Sequence, residues 1–553
     1  MKKCFAIAFC LTISLFTQAQ PITGHQRQQI DSIFKKWADP AKPGAVIGIV
    51  RNDSLIYTKG YGLADVEHNT PNTAASMYYM CSVSKQFAGY LIAQLVKEGK
   101  VDVNADIRTY LPWMGDLGAK VTVANLLHHT SGIRDDITIA GMTDKWDKGM
   151  LTEAGAIEIL KRQRSLNFTP GQKFAYSNSN YVLLAEIVQA VWGKPFRQVA
   201  EQQIFKPLGM VSSKFVDDPY ELISDRASSY SSQNGKLSLS LQDVYTMGDG
   251  GLFTNMNDLA KWAINLYRPA DKAVVDQLLQ QGILNNGERI KYAFGISIEE
   301  SLGHKQYFHN GSLAGYRTAI GVFPEQKMGF MIFGNGGESE VAGKLTQLAA
   351  LFIAPKKSTA PTLPTPARRD SALATVTDRT EADKRIGTYI ADDGYRVDIS
   401  LIRNKLWINR QVMLKKDSAD SYSLLNNQYV RYVFVSGGGI DKLLLYSPAL
   451  ATPIEMDRST ELTDKKASGS YIGSYTSPEL GYSFDIMSKN GALWFVTKEQ
   501  KEYKVRVYHN GHLSTDNDSF GHFKGIRNKA GKLIGLELNK GGMMHLRFDR
   551  MSR

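Results

Sequence analysis

The chain has 553 residues, 43% of them hydrophobic and 22% charged, with a formal net charge of +12. This excludes a disordered or low-complexity chain and, at roughly 100–200 residues per domain, supplies material for more than one core. Lys and Arg are scattered, with no dense run beyond "KKS" and "ARRD", so the positive charge reads as a solvated basic surface and no nucleic-acid partner is expected.

The first residues read "MKKCFAIAFCLTISLFTQAQP". Lys2 and Lys3 precede an apolar run from Cys4 to Phe16, shorter than the ~20 residues a spanning helix needs. Thr17-Gln18-Ala19 fits a small-residue cleavage site, so 1–19 is expected to be a secretory signal peptide, with a retained anchor as the alternative. Bulky Phe9 before Cys10 argues against lipidation. The destination expected is the periplasm or the outside medium, and no later segment is apolar enough to span a membrane. Of three cysteines, Cys4 and Cys10 lie in this leader. Cys81 is left alone, so no disulfide is expected, and it reads as a small buried residue.

"HQRQQIDSIFKKWAD" places Ile30, Ile33, Phe34 and Trp37 at helical spacing, which puts Ser32 and Lys35 on the surface of an amphipathic helix. "GAVIGIVRNDSLIYTKGYG" reads as two strands around an Asn-Asp turn. Next comes "CSVSKQFAGYLIAQLVKEGK" at 81–100, whose Phe87, Tyr90, Leu91 and Leu95 form one apolar helical face. Ser82 stands at the start of that helix, where unpaired N–H groups and the positive dipole end favour an oxyanion. Lys85, one turn on, shares its face. A lysine drawn into the interior loses hydration, which favours the neutral amine and lets it help take the serine proton. S-x-x-K alone is equally a helix cap with a solvent-facing lysine, as the same spacing at Ser32–Lys35 shows.

Further along, "LLHHTSGI" carries His128 and His129 without an H-E-x-x-H pattern or paired cysteines, so both are given structural roles. In "FTPGQKFAYSNSNYVLLAEIVQAV", Pro170 and Gly171 turn the chain into Tyr176-Ser177-Asn178, just ahead of an apolar helix. Tyr176 beside a lysine cation can act as general base and then acid. The Asn178 amide can hold a substrate carbonyl and fix Lys85. In "YFHNGSLAGYRTAIGVF", Gly311 permits close backbone approach, and the N–H of Ser312 can complete an oxyanion hole with that of Ser82. His309 can polarise a leaving group or, when protonated near or below about pH 6.5, bind a substrate carboxylate. "YRTAIGVFPEQ" and "KMGFMIFGNG" follow as a buried hairpin. Strands at both ends with helices between predict an α+β layered domain over 25–355. No G-x-S-x-G elbow occurs, which argues against an α/β-hydrolase.

Residues 356–380 are rich in Pro, Thr, Ala and Ser and read as a linker. A repeat follows. "IGTYIADDGYRVDISLIRNKLWI" at 386–408 matches "IGSYTSPELGYSFDIMSKNGALWF" at 472–495, with one residue inserted before Gly-Tyr, and the copies end in "IEMDR" and "LRFDR". Each copy (381–460 and 466–553) reads as a meander of short strands, forming two small antiparallel barrels or two halves of one. Trp407 and Trp494 are expected to pack inside.

Ser82-Val83-Ser84-Lys85, Tyr176-Ser177-Asn178 and His309-Asn310-Gly311, in this order, resemble the motifs of penicillin-recognising serine hydrolases: class C β-lactamases, DD-peptidases, esterases and D-aminopeptidases. "LLHHTSGI" and "GDGGLFTNMNDLAKW" at 248–262 resemble that family's recurrent segments. The resemblance covers about 25–355. It implies an antiparallel sheet flanked by helices, with Ser82 as acylated nucleophile, Lys85 its activator, Tyr176 the acid/base and Asn178 a substrate-binding residue; His309 and Gly311 fall on the third motif, with Ser312 after them. Class C β-lactamases carry K-T-G there; the H-x-G form looks more like the esterases and D-aminopeptidases, and a catalytic domain followed by two barrels resembles a D-aminopeptidase layout.

The expectation is an exported serine hydrolase working through an acyl-enzyme on an amide, ester or lactam of a small molecule or peptide, peptidoglycan fragments included, with no metal or organic cofactor. The alternative is a slowly acylating sensor of peptidoglycan or β-lactams with little turnover. A third reading makes the barrels a glycan- or partner-binding module.

Overall fold

The computed structural model describes residues 22–143, 149–233, 235–337, 340–356, 382–392, 394–418, 420–424, 427–435, 441–446, 453–516 and 521–551. The expected leader, with Cys4 and Cys10, and all of the expected linker beyond residue 356 lie outside them.

Six strands build one antiparallel sheet: β1 (Ala45–Arg51), β2 (Ser54–Tyr61), β3 (Ser297–Ser301), β4 (His304–Leu313), β5 (Tyr316–Phe323) and β6 (Met328–Gly334), in the order β3-β4-β5-β6-β1-β2. N- and C-terminal stretches of the domain thus meet at the β6–β1 pair, with Ala45 opposite Gly334. β1 and β6 are buried on both faces, which is why "AVIGIV" and "MGFMIF" run apolar without alternation. Ile47, Ile49, Phe330 and Ile332 point to one face, where α1 (Gly24–Ile33) and a C-terminal helix, Val341–Ala350, cover them with Ile30, Phe34, Leu345 and Leu348. Val46, Val50, Met331 and Phe333 point to the other, into the main core. Ser32 Oγ donates back to Gln28 O, so Ser32–Lys35 is surface helix, as its amphipathic setting predicts.

The main core is organised around α2 (Lys85–Lys97), ten of whose residues are buried. Three further helices frame it: α3 (Asp136–Thr143), α4 (Asn178–Trp192) and α5 (Met256–Asn265). Phe87 stacks on Trp262 of α5 with ring centroids 4.2 Å apart, and the Trp262 indole N–H donates to Gln86.

The repeat forms two closed antiparallel barrels of eight strands each. The first runs from Gly387–Ile390 to Ile454–Ser459 and closes by pairing Thr388 with Ser459; the second runs from Gly473–Ser477 to Met543–Arg550 and closes by pairing Tyr475 with Arg550. Each copy is therefore a complete barrel. Trp407 and Trp494 are half-buried, each indole donating to a nearby backbone carbonyl, so neither is the core residue expected; Tyr389, Tyr475 and Phe484 are. The core of the second barrel is continuous with that of the hydrolase domain, whereas the first has its own. Arg134, fully buried, joins the units: it pairs with Glu479 at 2.7 Å and donates to the carbonyls of Met544 and His545. The barrels touch through Arg396–Ser514 and Lys524–Asp392.

Candidate active site

Ser82 lies in a single 3₁₀ turn, Cys81–Ser84, that runs straight into α2. Cys81 has φ +50°, a left-handed conformation that an L-residue adopts at a cost. Its side chain is buried, and burial pushes the thiol well above its ordinary range, so it is a packing residue beside the serine rather than a second nucleophile.

Lys85 opens α2 and is fully buried. Its Nζ reaches three oxygens: Ser82 Oγ at 3.3 Å, Asn178 Oδ1 at 2.9 Å and the Asp249 carbonyl at 2.8 Å. An ammonium fills all three with N–H bonds. A neutral amine donates to the two shorter and turns its lone pair on the Ser82 hydroxyl. Both protonation states therefore fit the same cage, which is what a group that takes and returns a proton requires.

Tyr176 sits over this cage, 37% exposed, with its ring centroid 4.9 Å from Lys85 Nζ. Its loop is held by His129, whose carbonyl accepts from Ala175 and whose Nδ1 accepts from the Ser177 N–H and the Asn180 amide. The imidazole also stacks under Tyr176 at 4.2 Å. Burial, with Lys85 and His309 nearby, holds His129 neutral, as an Nδ1 acceptor must be. His128 turns instead to the Tyr292 carbonyl. Among the described residues no three His, Cys, Asp or Glu side chains are arranged to hold a metal.

Ser177 precedes α4 but makes no side-chain cap; Asn178 opens the helix, with its N–H and Nδ2 both on Asp135 Oδ1. Asp135 escaped sequence reasoning. Its D-x-x-T spacing to Thr138 signals a helix cap, and nothing local points across to Asn178.

The third stretch lies on β4. Gly311 packs against the backbone ahead of the serine: a Cβ there would stand 2.5 Å from Met80 O and 2.8 Å from Cys81 Cβ. Thr318, opposite Gly311 on β5, donates to Met80 O. The strand is thus laid on the Cys81–Ser84 turn. β3 pairs with β4 only up to Phe308, so from His309 to Leu313 that side of β4 has no strand neighbour among the described residues. Ser312 is exposed there.

His309 differs from expectation. It is buried, its Nδ1 bonds the Asn310 carbonyl at 2.7 Å, and its Nε2 meets the Tyr292 hydroxyl at 2.9 Å. Burial, then Lys85, pushes it down to about 4. It is an uncharged imidazole with both nitrogens engaged, so it supplies no cation for a substrate carboxylate near pH 6. Tyr292, also absent from the sequence reading, is the partner that fixes it.

Ser82, Lys85, Tyr176, Asn178, His309 and Gly311 therefore converge on one place, with the Ser312 backbone beside Gly311. A family model described as Beta-lactamase matches residues 30–354. A D-aminopeptidase of Brucella anthropi is 27% identical over 312 residues, 56% of this chain and 59% of the relative. One of Gluconobacter oxydans is 24% identical over 322 residues, 57% and 61% respectively. The match spans about three fifths of those relatives' length. In fold, the chain is similar to an octameric penicillin-binding protein homologue from Pyrococcus abyssi, with TM-score 0.54 and 22% identity over 87% of this chain and 99% of that one.

Proposed function

The chain belongs to the Beta-lactamase family, and from that premise we propose that it is an exported serine hydrolase acting through an acyl-enzyme on Ser82. The observation that carries this reading is the Lys85 cage, in which one buried amine touches Ser82 Oγ and Asn178 Oδ1 beneath the Tyr176 ring. Ser82 Oγ bonds the carbonyl carbon as its proton passes to the Lys85–Tyr176 pair. The backbone N–H groups of Ser82 and Ser312 hold the oxyanion, and Gly311 is what lets the strand come close enough. As the C–N or C–O bond breaks, Tyr176 gives the proton to the leaving group. Water then attacks the acyl-enzyme, its proton going to the same pair, and Ser82 is restored. The open edge of β4 can bind the backbone of an extended substrate.

The substrate class favoured is the amide or ester of an acyl group that carries no carboxylate, with amides of D-amino acids first. The neutral His309 offers no cation to a β-lactam carboxylate, and the relatives named D-aminopeptidases support the amide. The leader-like 1–19 supports export. The test is a turnover panel of nitrocefin, a p-nitrophenyl ester and D-alanine p-nitroanilide. Turnover of the anilide and ester above nitrocefin is expected. Preference for nitrocefin would overturn the substrate class, and a stoichiometric burst without turnover would replace the enzyme by a slowly acylating sensor.

A further inference from the structure

An amide has a donor end and an acceptor end, and Lys85 needs the acceptor. We propose that Asp135 is the positioning residue that fixes this orientation of Asn178, and that the turn at the tip of the second barrel's last hairpin seats Asp135; the inference rests on the serine-hydrolase reading above. Asp135 is 6% exposed, and its two carboxylate oxygens divide the work. Oδ2 accepts from Thr138 N–H at 2.9 Å and Thr138 Oγ1 at 2.7 Å, an ordinary cap for α3. Oδ1 accepts from Asn178 N–H at 2.7 Å and Asn178 Nδ2 at 3.0 Å. An ionised carboxylate only accepts, so the amide nitrogen is held on its side and Asn178 Oδ1 is left facing Lys85 Nζ.

The barrel enters through the backbone. Strands Leu533–Lys540 and Met543–Arg550 meet at a turn whose Gly542 carbonyl accepts from the Asp135 N–H at 3.0 Å. Asn167 clamps the same turn, its Nδ2 on Gly542 O at 2.9 Å and its Oδ1 on Met544 N–H at 2.7 Å. A Cβ on Gly542 would lie 2.6 Å from Asp135 Cβ, closer than two carbons pack. From the barrel turn to the nucleophile the contacts are continuous: Gly542, Asp135, Asn178, Lys85, Ser82.

The test uses the full chain with Asp135→Asn, Asp135→Ser and Gly542→Ala. Asn and Ser both cap helices well, so the α3 cap survives. In Asp135→Asn, once the oxygen caps Thr138, an NH₂ group faces two donors of Asn178; in Asp135→Ser the second acceptor is gone. The readouts are the rate of Ser82 labelling by a fluorophosphonate, kcat and KM for p-nitrophenyl acetate, and the melting temperature. Labelling and kcat should fall by up to about a hundredfold, the scale of a 1 Å misplacement. kcat should fall by a larger factor than KM rises, because Asn178 shares the substrate carbonyl while the oxyanion N–H groups and the open edge of β4 are untouched. Gly542→Ala should show the same kcat-dominated signature, more weakly, and add less than independently to Asp135→Asn. Wild-type labelling rates in Asp135→Ser and Gly542→Ala would overturn the positioning role while leaving the hydrolase reading standing. Should the Asp135 variants fail to fold, an unchanged Gly542→Ala overturns it alone. Absence of labelling in the wild-type chain would refute the hydrolase reading itself, and the inference with it.

Discussion

Replacing Arg134 by Met should uncouple the second barrel from the hydrolase domain. The five N–H donors of the guanidinium all find acceptors: Met544 O at 3.0 Å, His545 O at 3.3 Å, Glu479 Oε1 at 2.7 Å, Ser165 O at 2.5 Å and Ser165 Oγ at 3.1 Å. The Arg134 side chain is 0% exposed and that of Glu479 13%. Arg134→Met strands the Glu479 carboxylate in that contact, and breaking a buried pair from one side costs about 3–5 kcal/mol. The second barrel shares its core with the hydrolase domain, and for a unit of about 150 residues or more each kcal/mol moves melting by about 2–4 °C or less, so the calorimetric transition containing both should drop by roughly 5 °C or more. Removing both charges with Arg134→Met and Glu479→Leu should recover the part of the loss that comes from the stranded carboxylate, while the carbonyls of Ser165, Met544 and His545 remain without their donor. Equal losses in the single and double variants would refute the reasoning, because the penalty would then not come from a stranded charge. So would an unmoved transition in the single variant.

Lys85→Met should lower kcat by about 10²–10⁴, the range for losing a positioned acid/base group. The fold should survive, because the methionine stem fills the volume and the variant no longer buries an amine; circular dichroism melting checks the second half of that statement. His309 titrates near 4 in the folded chain against an ordinary 6.5. The unfolded chain therefore takes up a proton near pH 6.5 that the folded chain refuses until about pH 4, and His309 contributes stability above that window that is lost as pH falls through it. His309→Gln should flatten the pH dependence of urea midpoints between pH 6.5 and 4 by up to about 1.4 kcal/mol per pH unit. The same slope in wild type and variant would show that His309 is not held neutral.

The parts of the site that were legible in the sequence are those written in local patterns. Ser82 and Lys85 share a helical face, Tyr176-Ser177-Asn178 opens a helix and Gly311 marks a close approach. Folding brings these together through sheet order and helix packing, which the apolar runs of β1 and β6 already suggest. The repeat was legible as two meanders, but whether each closes on itself depends on pairs such as Thr388 with Ser459, about seventy residues apart in sequence. The Asp135 contact to Asn178 spans 43 residues, and that between Asn167 and the barrel turn spans 375. No spacing rule reaches that far, and Asp135 read locally is a helix cap. His309 differs from its sequence reading for the same reason: its charge is set by burial and then by Lys85, far away in sequence, and its ring is fixed by Tyr292, 17 residues upstream, not by the H-x-G pattern around it.

The central claim, that Ser82 is the nucleophile of this fold, is tested most directly by fluorophosphonate labelling of the intact chain followed by peptide mass mapping. A single adduct on the peptide carrying Ser82 is predicted, lost together with ester turnover in Ser82→Ala. An adduct on any other residue, or turnover that survives Ser82→Ala, would contradict the account.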